Sequence, residues 1–316
     1  MNIKVSILIP CYNAEKWIAQ AINSALNQTY LHKEVIVIDD GSTDSSLEII
    51  KSFGDIIRWE TGHNRGGNIA RNRLLELSSG EWLQYLDADD YLLPDKIAKQ
   101  IQFLEANPHT DIIYSPSILE HHIQEEVTQE ILPIPQPHDS WILLARWYLP
   151  QTGSPLWRKQ AIIDVGGWKI DQPCCQEHEL YLRLLIAEKR FRYYDKAESV
   201  YRQWSEQSVC KKSKPETYRR RLAITDKIEQ HLTETKQLNQ LRQDAINQAR
   251  FECARIIWLT DKQWSKKIIG QIRNKNIHFV PSGNCAPEIY RLMYQFFGFD
   301  FAEAVATFKR NLVVSQ

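Results

Sequence analysis

Along the first 115 residues, short β-branched runs alternate with longer stretches whose apolar positions recur at helical spacing. That is the pattern of an α/β domain with a parallel sheet and crossover helices. VSILIP (5–10), VIVID (35–39), IIRW (56–59), EWLQYLD (81–87) and DIIY (111–114) are rich in Val, Ile or aromatic residues and bounded by Gly, Asp or Pro, so each is expected to be a strand. Helices are expected at 14–28, 44–52, 67–78 and 95–106. In the last, Ile97, Ile101 and Leu104 share one face, Pro94 stands near the start and Asn107-Pro108 closes the end.

Between 115 and 155 the regularity fails. ILPIPQP (131–137) reads as loop, and the aromatic stretch DSWILLARWYLP after it reads as a lid or an acceptor-side wall. Trp141, Trp147, Tyr148 and Trp157 suit stacking on a ligand and core packing equally. A second regular block follows: VGGWKID as a turn, CQEHELYLRLLIAEK as an amphipathic helix, then FRYYD and ESVYRQW as strands. From Pro215 the chain is helical in character, with Leu222, Ile228, Leu232, Leu238, Leu241 and Ile246 near helical spacing. The expected division is a first domain over 1–210 and a helical region over 211–316, whose apolar face is a candidate surface for a homodimer.

Composition narrows the function classes. The 316 residues carry 39 basic and 39 acidic side chains, so no global charge favours nucleic acid as a partner. The six cysteines form no C-x-x-C pair, which argues against a zinc ribbon or a disulfide framework and fits reduced thiols. No run approaches the ~20 apolar residues needed to cross a bilayer. The expected location is cytoplasmic. The basic stretch KKSKPETYRRR (211–221) is either a solvated linker or a peripheral contact with the inner face of a membrane.

In an open parallel sheet, ligands bind beyond the carboxyl ends of the strands. Here those ends read Pro10-Cys11-Tyr12-Asn13, Asp39-Asp40-Gly41-Ser42 and Asp87-Ala88-Asp89-Asp90. Each alone is a serviceable turn or helix cap. Together they crowd like charges, and two charges ~4 Å apart cost about 4 kcal/mol at an effective dielectric of ~20, so a countercharge is required. A divalent cation would supply it. Oxygen ligands suit Mg2+ or Mn2+, which are typically shared between one or two carboxylates and substrate phosphates. The Tyr12 ring could stack on a base, and Asp40 could accept from a base N–H or a ribose hydroxyl. Neither G-x-x-x-x-G-K-[ST] nor G-x-G-x-x-G after the first strand is present.

Across residues 3–207, VSILIPCYNAEKWIAQAINSALNQTY, EVIVIDDGSTDSS, NRGGNIARNRLLELSSGEWLQYLDADDYLLPDKI, VGGWKIDQPCCQEHELYLRLL and YRQWSEQS resemble glycosyltransferase family 2 in order and spacing. The resemblance implies a GT-A fold and an inverting transfer of a hexosyl group from a nucleotide-sugar donor, a UDP-sugar favoured. The acceptor hydroxyl would belong to a glycan, a lipid-linked sugar or a protein in cell-surface polysaccharide, glycolipid or glycoprotein synthesis. It assigns Pro10, Tyr12, Asp39 and Asp40 to the base and ribose pocket, and Arg71 and Arg202 to the nucleotide and its phosphates. Asp87 and Asp89 form the D-x-D pair for Mn2+ or Mg2+, with Asp89 as the direct ligand and Asp87 as a contact to the donor's ribose or a support of the metal shell, while Asp90 starts the next helix.

Two departures from the family pattern bear on activity. Its acidic pair before L-Y-L-R-L is here Gln176-Glu177, which leaves Glu177 as the base and Glu179 as the competing candidate. Where many relatives have R-x-H, this chain has Trp204, which cannot ligate a metal. A nucleotide-sugar-binding or scaffold protein without catalysis is therefore the alternative reading. A haloacid-dehalogenase-type phosphatase is disfavoured because the first strand ends in PCYN, not a nucleophilic Asp. A nucleotidyltransferase is disfavoured because NAEKW is not a glycine-rich basic loop.

Overall fold

A computed structural model describes residues 3–123, 126–204 and 214–314. Ser205–Ser208 of the YRQWSEQS segment and the first residues of the basic stretch lie outside these. The chain divides into two compact units, residues 1–140 with 148–209, and residues 141–147 with 210–316.

The first unit runs β1 (Val5–Cys11), α1 (Ile18–Leu26), β2 (Lys33–Asp39), α2 (Ser46–Ser52), β3 (Arg58–Thr61), α3 (Gly67–Leu77), β4 (Trp82–Tyr85), β5 (Tyr91–Leu92), α4 (Lys96–Ala106) and β6 (Ile112–Tyr114). It continues through β7 (Ser117–Ile123), β8 (Glu126–Leu132) and α5 (Ser140–Ala145), whose last five residues belong to the second unit. Then come β9 (Leu156–Arg158), α6 (Lys159–Asp164), α7 (Gln176–Ile186), β10 (Phe191–Tyr193) and β11 (Ser199–Gln203). The main sheet has the order β10-β6-β9-β4-β1-β2-β3, and only β9 runs against the others. A smaller sheet, β5-β11-β7-β8, stands beside it.

All five expected strands and four expected helices of the first 115 residues form, each trimmed or shifted by a few residues. β1 is buried almost throughout, as a central parallel strand must be. Val5, Ile7 and Ile9 pack with Ile18, Ile22 and Ala25 of α1 and Ile97, Ile101 and Leu104 of α4 in one core. Within this unit Lys96 is fully buried, its ammonium donating to the side-chain carbonyls of Gln84 and of Gln100 (2.9 Å). Burial lowers its pKa to about 7.

The region from 115 to 155 departs from expectation. β7 and β8 form a hairpin where no strand was predicted. Every residue of β8 is exposed, so no buried face imposes alternation on its sequence. The aromatic residues of 141–157 are largely packed within their own units. Trp157 is buried in β9 and stacks on Tyr181, their ring centroids 5.2 Å apart. Trp141 lies 5.1 Å from the His231 ring and Trp147 lies under the Arg221 guanidinium, both within the second unit. Tyr148 is the exposed member. The expectation that 141–147 belongs with the first domain is corrected accordingly.

The second unit continues with α8 (Lys214–Glu234), α9 (Gln240–Ile257), α10 (Lys262–Lys275) and α11 (Glu288–Val314), the last kinked at Gly298. Asn239 and Asp261 cap α9 and α10 through their side chains. Phe251, Ile268, Ile272, Tyr290, Tyr294 and Phe299 fill its core. Among the described residues, no helix is long and apolar enough to cross a membrane, and Cys11, Cys174, Cys175, Cys253 and Cys285 are free thiols.

Candidate active site

The strand order places the carboxyl ends of β2, β1 and β4 side by side, with Cys11 in register with Asp39 and Leu8 with Tyr85. Tyr12 follows β1 with its ring 50% exposed, and Pro10 sits half-buried beside it. The turn after Tyr12 is fixed because Asn13 Oδ1 accepts from the Thr43 N–H at 2.8 Å and the Asn13 N–H donates to Ser42 Oγ at 3.0 Å. Asp39 is buried, accepting from the Thr61 hydroxyl (2.6 Å) and the Ser42 N–H (3.2 Å). Asp40 accepts from the N–H groups of Arg65 (2.9 Å) and Gly66 (2.8 Å). Both acids thus shape the loop over 61–66. Gly41 is required in this turn: its φ is +76°, and a Cβ would stand 2.6 Å from the Asn64 nitrogen.

The three acids after β4 separate by partner. Asp87 accepts from the Arg71 guanidinium at 2.8 Å. Asp89 accepts from the Trp204 indole N–H at 2.9 Å. Burial, then the neighbouring charge of Asp87, raises the Asp89 pKa. Asp90 is buried and accepts from the Arg202 backbone N–H at 2.9 Å. It does not start the next helix, for Asp95 is the residue at the head of α4; Asp90 instead extends the β5–β11 pairing, in which Tyr91 faces Val200. That pairing is why residues 113 or more apart in sequence, Arg202 and Trp204, reach Asp89.

Arg202 is corrected as well. Its side chain is buried, with Nε bonded to Glu120 (2.9 Å) and the two terminal nitrogens to the Asp89 carbonyl (2.8 Å) and Gln20 (2.6 Å). The rings of Trp17 and Tyr91 cover the guanidinium at 4.4 and 4.6 Å. Arg202 holds the backbone of Asp89 and is not presented to a phosphate.

Arg71 is likewise buried. Besides Asp87 it donates to Gln176 Oε1 at 2.9 Å, and its guanidinium lies over Trp168 at 4.9 Å. It therefore ties the end of β4 to the head of α7, where Glu177 stands in the first turn. The loop before α7 is docked on α3 by Asn68, which donates to the carbonyls of Lys169 and Gln172, and by Asn72, which donates to that of Trp168. Gly167, at φ +70°, lets Asn72 approach; a Cβ there would meet its Oδ1 at 2.6 Å. Glu177 accepts from the Thr152 hydroxyl at 2.5 Å. Glu179 is buried against Arg183, which donates to both its oxygens at 2.9–3.0 Å.

Sequence reasoning did not single out Thr152, which orients Glu177, or Trp17 and Glu120, which hold Arg202. Thr152 lies in the irregular stretch and carries no local signal. Gln176 was noted only as a lost acid, whereas its amide oxygen is the acceptor that couples Arg71 to α7.

The donor set fits a hard divalent cation shared with phosphates. Among the described residues no group of three or more metal-ligating side chains forms, so a full protein cage is absent. Asp89 and Asp87 supply two carboxylates at one rim, the number that Mg2+ or Mn2+ commonly takes from protein when phosphates complete its shell.

Comparison with known proteins bears on the family and the fold. Residues 6–137 match the model of Glycosyl transferase family 2. An uncharacterized glycosyltransferase of Haemophilus influenzae is 44% identical over 107 residues, 33% of this chain and 43% of that protein. The UDP-Glc:alpha-D-GlcNAc-diphosphoundecaprenol beta-1,3-glucosyltransferase WfaP of Escherichia coli is 41% identical over 103 residues, 32% of this chain and 41% of WfaP. The putative teichuronic acid biosynthesis glycosyltransferase TuaG of Bacillus subtilis is 37% identical over 106 residues, 32% of this chain and 41% of TuaG. The matched stretch spans less than half the length of these curated relatives. The structure of S. aureus TarS 1–349 in complex with UDP-GlcNAc is similar in fold, with a TM-score of 0.61 at 17% identity over 98% of this chain and 92% of that one. The mixed α/β, mainly parallel architecture is the GT-A arrangement that the resemblance implied.

Proposed function

We propose, from the match of residues 6–137 to the model of Glycosyl transferase family 2, that this chain transfers a sugar from a nucleotide-diphosphate sugar to an acceptor hydroxyl with inversion at the anomeric carbon. The observation that carries the reading is the bridge made by Arg71, from Asp87 at the end of β4 to Gln176, the neighbour of Glu177. One buried guanidinium thereby fixes the diphosphate rim and the candidate base relative to each other.

In this reading Tyr12 stacks on the base, and the loop shaped by Asp39 and Asp40 borders it and the ribose. Glu177, oriented by Thr152, takes the acceptor proton as the acceptor oxygen bonds to the anomeric carbon. The bond from that carbon to the diphosphate breaks on the opposite face, and the nucleoside diphosphate leaves with the electron pair. Mn2+ or Mg2+, held by Asp89 with Asp87, would supply Lewis-acid stabilisation of the leaving diphosphate. Asp89 is itself positioned by Arg202 through its backbone and by Trp204 through its carboxylate. Glu179, committed to Arg183, is the weaker candidate base.

UDP-GlcNAc in TarS and UDP-Glc in the name of WfaP support a UDP-sugar donor. The diphosphoundecaprenol-linked substrate named for WfaP and the teichuronic acid named for TuaG support a glycan or lipid-linked acceptor in cell-surface polysaccharide synthesis. The test is a panel of UDP-, GDP- and dTDP-sugars with Mn2+ or Mg2+, read by nucleotide release and by thermal stabilisation. Ligand at ~100 times its Kd should add about 2.7 kcal/mol of stability. Release that requires the cation and is lost in Asp89→Asn supports the reading. Binding without release on any acceptor assigns a binding protein instead, and stabilisation by no nucleotide sugar rejects both.

A further inference from the structure

The second unit carries large apolar side chains that its own core does not cover. On α11, Phe296, Phe297 and Phe308 are 77%, 66% and 66% exposed, and Phe301 is 47% exposed. Ile289 and Leu292, about two turns and one turn before Phe296, are also exposed. The kink at Gly298 brings the two halves of the helix together so that the rings of Phe297 and Phe301 lie 4.8 Å apart, with Phe296 and Phe297 at 6.5 Å. Phe299, between them, turns inward and fills the core. The rings of Phe296, Phe297 and Phe301 are therefore one contiguous projection, and such an exposed patch marks an interaction site.

The charge around the projection says what it meets. Between residues 262 and 310 eight Lys or Arg stand against three acids, a surplus of five in a chain whose net charge is zero. The acids are largely answered within the fold: Asp300 pairs with Lys266 at 2.5 Å, and Glu303 is buried with Arg255 and Arg310. The Arg273 guanidinium lies 3.4 Å from where a Cβ of Gly298 would stand, beside the kink, and Lys309 follows Phe308. Phenylalanines with Arg273 beside the kink and a surplus of lysine and arginine along the same stretch of chain suit the boundary of an anionic bilayer, where rings enter the acyl region and cations meet headgroup phosphates. A second copy of the chain is the poorer fit, because a two-fold contact would set two stretches of like surplus charge against each other. No described helix is able to span the bilayer, so the contact is one of docking.

We propose that the kinked helix α11 is a membrane-docking surface, inserting Phe296, Phe297 and Phe301 into the interface of an anionic lipid leaflet. The proposal is independent of the transfer reaction, since binding is read without substrate. The full chain would be sedimented with vesicles of phosphatidylcholine, alone or with phosphatidylglycerol. Binding is expected to the phosphatidylglycerol vesicles, to weaken as salt rises, and to fall about tenfold or more in Phe296→Ser/Phe297→Ser/Phe301→Ser. The replaced rings are exposed, so the thermal midpoint should hold; a second variant, Arg273→Gln/Lys309→Gln, keeps the rings and should weaken binding to the anionic vesicles alone. Absence of vesicle binding by the parent, or equal binding by the triple variant, overturns the proposal. So does a parent dimer that the triple variant splits and that ignores vesicles, which would assign the patch to a second copy.

Discussion

The indole N–H of Trp204 donates to a carboxylate oxygen of Asp89 at 2.9 Å. An indole cannot ligate a cation, but it can fix the orientation of a carboxylate that does, and partners of this kind commonly set metal affinity by 10–100-fold. Trp204→Phe keeps the ring beside Trp17 and removes only the donor. Mn2+ affinity, titrated by the electron paramagnetic resonance of the free ion, should weaken about tenfold with the fold intact. Unchanged affinity would show that Trp204 only shields the site.

Glu177 and Glu179 are two residues apart on α7 and are expected to fail differently. Glu177→Gln should lower kcat by about 10²–10⁴-fold while leaving donor binding and stability nearly unchanged, since only proton acceptance is lost. Glu179→Gln should instead destabilise, by roughly 2–3 kcal/mol, because it leaves the partly buried Arg183 without its carboxylate. Its folded fraction should still turn over. Urea unfolding alongside initial rates separates the two, and a kcat collapse in Glu179→Gln alone would move the base there.

The sheet and its acidic rim were legible because both depend on local pattern. Val5, Ile7 and Ile9 alternate in a buried strand, Asp39 ends β2, and Asp87 and Asp89 both follow β4. What was not legible depends on distant partners. Arg202 is a phosphate contact by the family resemblance, yet Trp17 and Tyr91 enclose it and Glu120 neutralises it. Arg71 reads the same way, and the countercharge expected wholly from a cation is supplied in part by its contact with Asp87. β8 escaped notice for the opposite reason: with no buried face, nothing constrained its sequence to alternate.

Buried Lys96 should make stability depend on pH. Its folded pKa, about 7, lies below the 10.5 of a solvated lysine because burial disfavours the ammonium. Between those values the unfolded chain binds more protons than the folded one, so stability rises with pH across that window and is lowest below it. Lys96→Met removes this contribution. Urea midpoints near pH 6 and pH 9 should differ in the parent and converge in the variant. An equal slope in both would place the titrating group elsewhere.

Gly41 and Gly54 both hold a positive φ, +76° and +56°, but only Gly41 is crowded. A Cβ on Gly54 meets nothing within 4 Å, so Gly54→Ala bears only the left-handed backbone cost, about 1 kcal/mol. A Cβ on Gly41 would press on the Asn64 nitrogen at 2.6 Å and the Gly62 oxygen at 3.0 Å, both backbone atoms that cannot swing aside. Relief requires moving the loop over 61–66, which breaks the bonds from Arg65 and Gly66 to Asp40. Gly41→Ala should therefore be less stable than Gly54→Ala by at least about 1 kcal/mol, the net worth of one such hydrogen bond. It should also lose UDP affinity, measured by calorimetry, because in the proposed function Asp40 and the loop it holds line the base and ribose pocket. If Gly41→Ala bound UDP as well as the parent while unfolding more readily, the loop would be structural and the base pocket would lie away from Asp40.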